Sequence, residues 1–247
     1  MTKEEFVKSL VLAYESGKGI FSKKLNAEDQ VPKDLSKLSK SLFLFYVLQL
    51  DYGMKSQMLY DGAKELMKEH PEFLTPQNIK VHPGTGLQQT LKRYLHPRYI
   101  NEAVLRYKSN TDLLLRNYSG DPRKIFTASK TAREVEKKVR KFRGFGPKIG
   151  NFFIRSMVNC FSYNYVDLAD ITQPVDIHDV RVTYLMGFIS SPKMTTTNIK
   201  KVKEIWKDAC KKVKVSWLDF DKALWLLGSE GKPKSREDVL MILGAFA

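Results

Sequence analysis

The chain has 247 residues, of which 43% are apolar, so it can bury the core of one or two domains. It carries 42 Lys and Arg against 27 Asp and Glu, a net charge of +15 that favours a polyanionic partner, either nucleic acid or an acidic membrane surface. The two cysteines, Cys160 and Cys210, exclude a disulfide framework, a four-thiolate zinc site and an iron–sulfur cluster held by four cysteines. No signal-peptide pattern is present, and the longest apolar stretch, Leu42 to Leu50, is far shorter than the ~20 residues that span a bilayer. We therefore expect a soluble protein of a reducing compartment, cytoplasmic and nucleoid-associated in a prokaryote or nuclear in a eukaryote.

Helical spacing dominates the chain, and alternating strand patterns are scarce. In chain order, residues 41–50 indicate a buried helix and residues 58–68 a second one, and apolar residues recur at helical spacing over 149–161 and 199–213. The segment 218–228 predicts a helix that ends at its glycine. Because proline and glycine turns separate these segments, the sequence predicts an all-α fold with ten or more helices. The lysines opposite the apolar face of 199–213 fit a solvated surface as well as a DNA contact.

Two weakly periodic stretches mark candidate domain boundaries. One is the polar segment 162–173, and the other lies near 32–40. We predict one helical domain over residues 40–160 and a second domain built from both termini, residues 1–39 with 161–247.

The most informative stretch joins two predicted helices through a glycine turn. Thr131-Ala-Arg-Glu134 has the pattern of a capping box that opens the first helix. In Phe142-Arg-Gly-Phe-Gly-Pro-Lys148, two glycines permit a tight turn, and the proline occupies the expected first position of the second helix. Such a hairpin presents backbone N–H groups and a helix N-terminus to a phosphate. Arg143, Gly144 and Gly146 are therefore candidate DNA-binding residues.

This hairpin resembles the helix-hairpin-helix of the DNA glycosylase superfamily that includes endonuclease III. Downstream, Pro174-Val-Asp-Ile-His178 resembles the Pro-Val-Asp-x-His signature of the same superfamily. Arg98-Tyr-Ile-Asn-Glu-Ala103 and Gly120-Asp-Pro122 are also similar to it, so the resemblance covers roughly residues 40–190. The 28 positions that separate the lysine of the hairpin from the aspartate of the signature are more than endonuclease III leads us to expect. The resemblance implies two helical domains with the active site in the cleft between them.

Lys148 and Asp176 are the candidate catalytic residues. Lys148 falls in the first turn of its helix, where the helix dipole and the nearby Lys141 and Arg143 favour an uncharged, nucleophilic amine. The resemblance implies that Lys148 is the Schiff-base lysine of the bifunctional superfamily members. Asp176 is a good N-cap for the following helix, and the resemblance implies that its carboxylate also stabilises positive charge on a deoxyribose ring. His178 has no metal-ligand partner at a useful spacing and is interpreted as structural or phosphate-facing.

Two further segments are candidates for contacting a flipped nucleotide. Asp221 and Trp225 lie four residues apart on one helical face, where an indole can stack on an extruded base and a carboxylate can accept hydrogen bonds from it. An ordinary core tryptophan is the alternative. The segment 204–225 resembles the C-terminal part of archaeal GO glycosylases, in which the matching aspartate and tryptophan help to hold 8-oxoguanine. Gln49 and Tyr52, after the first buried helix, are candidates to fill the gap in the DNA, with a plain helix connection as the alternative.

These features predict a bifunctional DNA glycosylase and abasic-site lyase of base excision repair that removes 8-oxoguanine through a lysine Schiff base and β-elimination. The alternatives are an oxidised-pyrimidine or mismatch glycosylase, a monofunctional enzyme with water as nucleophile, and a non-enzymatic helix-hairpin-helix DNA-binding protein. The predicted partner is double-stranded DNA with a damaged base, bound by a monomer without a membrane partner. No metal site and no cofactor are predicted, apart from room for a monovalent cation beneath the hairpin carbonyls.

Overall fold

The computed structural model describes residues 1–244, and within them every regular element is a helix. The all-α prediction is therefore confirmed. No helix in this range is long and apolar enough to cross a membrane. The chain divides into two compact units, residues 25–168, called the hairpin unit, and residues 1–24 with the chain from Ala169 onwards, called the terminal unit.

The hairpin unit is built from short and medium helices joined by tight turns. Its α-helices are α2 (Ala27–Gln30), α3 (Lys37–Leu48), α4 (Ser56–Glu69), α5 (Pro76–Val81), α6 (Gly84–Thr90), α7 (Ile100–Tyr118), α8 (Arg123–Thr127), α9 (Ala132–Val139) and α10 (Pro147–Phe161). A π-helical turn, Leu91–Leu95, follows α6, and a 3-10 turn, Pro71–Leu74, follows α4.

The core of the hairpin unit forms around α3, because residues 41–48 are buried on every side of the helix. The ring of Phe45 stacks on Phe145 at a centroid distance of 5.4 Å and meets Phe142 and Phe153 edge-on at 5.1 and 5.9 Å. Phe142 and Phe145 belong to the connection between α9 and α10, and Phe153 belongs to α10. Aromatic packing against Phe45 of α3 therefore fixes the position of the connection between α9 and α10.

The terminal unit packs its helices around a buried tryptophan. Its α-helices are α1 (Lys3–Glu15), α11 (Ile177–Leu185), α12 (Thr196–Val213), α13 (Trp217–Leu226) and α14 (Arg236–Gly244). Trp206 of α12 is fully buried, lies 5.2 Å from the ring of Phe6 and 5.0 Å from that of Phe220, and donates its indole N–H to Thr183 Oγ1 at 2.9 Å. One residue thus joins α1, α11, α12 and α13.

The bounds of the two units differ from the predicted domain boundaries near 40 and 160. Residues 25–39 and 161–168 lie in the hairpin unit because specific contacts hold them there. Glu28 accepts hydrogen bonds from Asn159 Nδ2 at 2.7 Å and Ser156 Oγ at 3.1 Å. Tyr165 donates its hydroxyl to the Phe126 carbonyl at 2.8 Å. Local composition, from which the boundaries were predicted, does not reveal such contacts between distant side chains.

The predicted glycine end of the helix over 218–228 was wrong. The α-helix ends at Leu226 and continues as a π-helical turn, Leu227–Gly231, that contains Gly228. A Cβ atom at Gly228 would lie 2.8 Å from the Cβ of His178. The glycine therefore serves close packing of this turn against α11 rather than helix termination.

Candidate nucleic-acid interface

The connection between α9 and α10 is a tight turn whose two glycines differ in their surroundings. Gly144 has φ +84°, a left-handed conformation that an L residue adopts at a cost, and a Cβ there would lie 2.9 Å from Arg106 Cδ. Gly146 is the exposed N-cap of α10 in an ordinary extended conformation, and a Cβ there would meet nothing within 4 Å. Gly144 is required by the turn, whereas at Gly146 neither the conformation nor the packing requires a glycine.

The start of α9 is capped, although not as the sequence predicts. Thr131 Oγ1 accepts a hydrogen bond from the Glu134 N–H at 3.1 Å, which confirms the N-cap. The Glu134 carboxylate, however, accepts from the N–H of Lys130 at 2.8 Å instead of that of Thr131. Asp167, which the sequence analysis missed, adds hydrogen bonds from the Ala132 and Arg133 N–H groups at 2.6 and 3.1 Å.

Asn110 of α7 holds the turn through hydrogen bonds to the backbone of Arg143. Its Oδ1 accepts from the Arg143 N–H at 2.7 Å, and its Nδ2 donates to the Arg143 carbonyl at 2.9 Å. The same Nδ2 donates to Gln49 Oε1 at 2.8 Å. Because Asn110 is 1% exposed, these bonds form away from water and fix the turn to α7 and to the end of α3.

Gln49 belongs to this support and does not face solvent. Its side chain is fully buried and also donates to the Tyr46 carbonyl at 3.2 Å, while its own carbonyl accepts from Arg106 Nη1 at 2.7 Å. The side chain therefore cannot enter a DNA gap from this position, and the candidate role assigned to it is corrected to a structural one. Tyr52, the other candidate, is 54% exposed.

Arg143 is partly committed to an ion pair with α7. Its Nε and Nη2 donate to the two oxygens of Glu102 at 2.9 and 2.8 Å, and Arg106 Nε donates to the same carboxylate at 3.0 Å. These guanidinium groups lower the pKa of Glu102 to about 2, with the Arg143 hydrogen bond as the main cause. Glu102 neutralises part of the charge that Arg143 would offer to a phosphate.

Arg140 holds the turn through hydrogen bonds to its carbonyl groups. Its Nη1 donates to the carbonyls of Gly146 and, at 3.3 Å, Phe145. Its Nη2 donates to Glu136 Oε1 at 2.7 Å and Asn151 Oδ1 at 2.5 Å. At these two oxygens the guanidinium occupies the place beneath the hairpin carbonyls in which a monovalent cation could sit according to the sequence.

Lys148 is exposed in the first turn of α10, immediately after Pro147. Pro147 occupies the first helical position, as predicted, where its missing N–H costs no hydrogen bond. The hydrogen bond from the Gly150 N–H to the Gly146 carbonyl, 2.7 Å long, closes the first turn of α10 around Lys148. Lys148 is thus an exposed residue in a helical turn whose backbone is fixed by this hydrogen bond.

In the terminal unit, Asp176 caps α11 as predicted. Its Oδ1 accepts from the N–H groups of His178 and Asp179 at 2.8 and 3.4 Å, and the Asp179 carboxylate accepts from the Asp176 N–H at 2.7 Å. Both halves of a capping box are therefore present. The half-buried carboxylate of Asp176 has one defined orientation at the start of the helix.

Asp221 and Trp225 differ in depth within α13. Trp225 is half-buried, and its ring meets that of His178 edge-on at a centroid distance of 6.5 Å. Asp221 is 2% exposed, and its negative charge adds to the effect of burial in raising the pKa of the Cys210 thiol to about 12. The carboxylate is therefore buried within the terminal unit. His178 is half-buried, and its Nδ1 is buried without a hydrogen-bond partner among the described residues.

Neither the models of known protein families nor the curated proteins contain a match to this chain. Within residues 1–244 no group of three or more His, Cys, Asp or Glu side chains is placed to hold a metal ion. The assignment of a function therefore depends on the chemistry of the residues described above.

Three residues that support the turn were not singled out from the sequence, namely Arg140, Asn110 and Glu102. A signal existed for Asn110, because it falls on the apolar face of α7 between Tyr107 and Leu114. A polar side chain on a buried face needs a partner, which points to a structural hydrogen bond. Nothing in the local pattern distinguishes Arg140, the residue that follows α9, from the basic residues of that helix.

Proposed function

We propose that this protein is a DNA glycosylase with abasic-site lyase activity that acts in base excision repair. The observation that carries the proposal is the exposed position of Lys148 in the first turn of a helix, directly after a turn that Asn110 and Arg140 both hold by hydrogen bonds. A nucleophile gains most when its position is fixed before the substrate arrives. Backbone N–H groups at the same helix N-terminus can bind a phosphate without reading a base.

In the proposed reaction, the Lys148 amine attacks C1′ of the damaged nucleotide. A C–N bond forms, the glycosidic bond breaks with its electron pair leaving on the base, and the nitrogen loses a proton. Opening of the sugar ring gives an imine, and loss of a proton from C2′ expels the 3′ phosphate by β-elimination. No metal ion or organic cofactor takes part in these steps.

Asp176 has the electrostatic role in the proposal. Positive charge develops on the sugar as the base departs, and a carboxylate with a fixed orientation stabilises that charge without reorganising. The capping box supports this role because it holds one carboxylate oxygen on two backbone N–H groups.

The proposed substrate is 8-oxoguanine in duplex DNA. Trp225 offers a partly exposed indole for stacking, which is worth about 1–3 kcal/mol and does not select a base. Selection needs an acceptor for the N7 proton that distinguishes 8-oxoguanine from guanine, and Asp221 on the same helix is the proposed acceptor. Asp221 is 2% exposed in the protein without DNA, so this role requires the carboxylate to become accessible when the nucleotide binds.

The decisive experiment is borohydride trapping on a panel of duplexes that each carry one lesion. The wild-type protein is expected to form a covalent complex, and Lys148→Gln is expected to form none while binding DNA within several-fold of wild type. Lys137→Gln is the matched control, because Lys137 is an exposed lysine of α9 and its loss changes the net charge equally. Undiminished trapping by Lys148→Gln would remove Lys148 from the mechanism.

A non-enzymatic DNA-binding protein is the second candidate function. It is favoured by the observation that Asp176 already has a structural use as a cap. This alternative predicts that every duplex is bound and that no lesion yields a trapped complex. The same trapping panel therefore separates the two functions.

A further inference from the structure

We propose that Arg140 is a positioning residue for Lys148 and that its guanidinium replaces a bound metal cation beneath the hairpin carbonyls. The effect on Lys148 rests on the proposed function. The structural part, a turn held by an internal cation, stands independently of any activity.

The contacts of Arg140 join every part of the hairpin. One guanidinium nitrogen donates to the carbonyls of Phe145 and Gly146 in the turn, and the other donates to Glu136 in α9 and Asn151 in α10. The side chain is 26% exposed, so water competes only in part for these bonds. Removing it would take away hydrogen bonds to both helices and to the turn at once.

Gly150 is an independent sign that the guanidinium belongs in this position. Glycine inside a helix costs about 1 kcal/mol relative to alanine, so its presence in α10 needs a reason. A Cβ at Gly150 would collide with Arg140 Nη1 and would lie 3.0 Å from the Phe145 carbonyl oxygen. The helix thus leaves room for the guanidinium at the point where it meets the turn.

The chemistry of the site requires an arginine. Two converging carbonyl dipoles attract a positive charge, and two further acceptors lie on the other side of it. A planar guanidinium with five N–H donors satisfies all four at once and stays charged at any working pH, whereas an ammonium has one nitrogen and a different geometry. Since the Gly146 carbonyl also accepts from Gly150 N–H, Arg140 acts on the turn of helix that contains Lys148.

The structural part is tested by amide hydrogen exchange of residues 140–150 in the full chain without DNA. Arg140→Met is expected to speed exchange of this segment about tenfold, because it removes several charge-assisted hydrogen bonds. Arg140→Lys should fall between wild type and Arg140→Met, and Lys137→Met should match wild type. Wild-type exchange should be the same in sodium, potassium or tetramethylammonium chloride at equal ionic strength. Wild-type protection in Arg140→Met, or a need for sodium or potassium in the wild type, would overturn the inference whether or not the protein is an enzyme.

The effect on Lys148 is tested by the single-turnover rate of borohydride trapping on abasic duplex DNA. Misplacement of the amine in Arg140→Met is expected to slow trapping about 10- to 100-fold. Free guanidinium at a concentration far below denaturing should restore part of the rate, whereas sodium chloride of equal ionic strength should not. A normal rate in Arg140→Met, or the absence of guanidinium-specific rescue, would show that Arg140 does not position Lys148. If the wild type traps no duplex, the proposed function fails, and the exchange experiment still decides the structural part.

Discussion

The two glycines of the hairpin allow folding to be separated from DNA contact. Gly144 and Gly146 lie two residues apart in one exposed turn, yet only Gly144 has a left-handed backbone and a close neighbour. We predict that Gly144→Ala destabilises the protein and that Gly146→Ala leaves its stability unchanged but weakens DNA binding. Each variant adds the same methyl group, so each is the control for the other.

The expected magnitudes follow from the geometry of each position. At Gly144, the left-handed conformation costs an alanine about 1–2 kcal/mol, and the new Cβ displaces Arg106, whose bond to the Gln49 carbonyl contributes about 1.5 kcal/mol or more. Lower entropy of the unfolded chain returns about 0.5 kcal/mol. The net loss is about 2–3 kcal/mol, a fall in Tm of roughly 5–10 °C for a chain of this size. At Gly146 the entropy gain offsets the weaker N-cap, so the stability should stay within about 0.5 kcal/mol of wild type.

Thermal unfolding followed by circular dichroism measures the first effect, and fluorescence anisotropy with an undamaged duplex measures the second. A methyl group at Gly146 would point into the space that an approaching phosphate would occupy. The affinity of Gly146→Ala for the duplex should therefore fall about tenfold. Wild-type affinity in Gly146→Ala would refute the reasoning that the turn binds a phosphate. A stable Gly144→Ala would refute the reasoning about its backbone.

Three other predictions concern Asp176, Glu102, and the pair Trp225 and Asp221. Asp176→Asn keeps a good cap and should leave Tm within about 1 °C while slowing base release about 10²- to 10³-fold, whereas Asp176→Ala should also lose about 1 kcal/mol in chemical denaturation. The Arg143 guanidinium lowers the pKa of Glu102 from an ordinary 4.5 to about 2. The ion pair therefore stabilises the fold above pH 4.5, and this contribution disappears as the pH falls towards 2. In acid unfolding, the stability of Glu102→Gln should accordingly depend less on pH between 4.5 and 2 than that of the wild type. Trp225→Ala should slow excision of every lesion in single-turnover assays, whereas Asp221→Asn should affect 8-oxoguanine more than an oxidised pyrimidine, and an equal effect on both would exclude Asp221 as the residue that distinguishes the base.

Local signals in the sequence predicted much of the fold and the caps of the candidate site. The apolar spacing over 149–161 predicted α10, and Pro147 marked its first position. Asp176 was predicted as an N-cap because its carboxylate acts on N–H groups two and three residues away. Such features depend on neighbours in the chain, so the pattern of residue types is enough to find them.

Features that depend on distant partners could not be predicted in this way. Gln49 lies next to an exposed loop in the sequence but is buried because its partner, Asn110, comes from another helix. Gly228 has the pattern of a helix end, yet its real neighbour is His178. A sequence pattern shows where a polar side chain occurs but not which group is its hydrogen-bond partner. The role of the side chain depends on that partner and on whether the side chain is buried.

The last prediction concerns the different roles of the arginine and lysine side chains of the hairpin in binding DNA. Arg140 and Arg143 both use their guanidinium groups within the hairpin unit, on carbonyls and on Glu102, whereas Lys141 is exposed. Planar guanidinium groups suit fixed multiple hydrogen bonds, and a lysine suits a phosphate as a mobile point charge. Lys141→Gln should therefore lower the slope of log affinity against log salt for an undamaged duplex by about one, whereas Arg143→Gln should change this slope by much less. An equal loss of slope in the two variants would show that Arg143 leaves Glu102 to bind a phosphate when DNA is present.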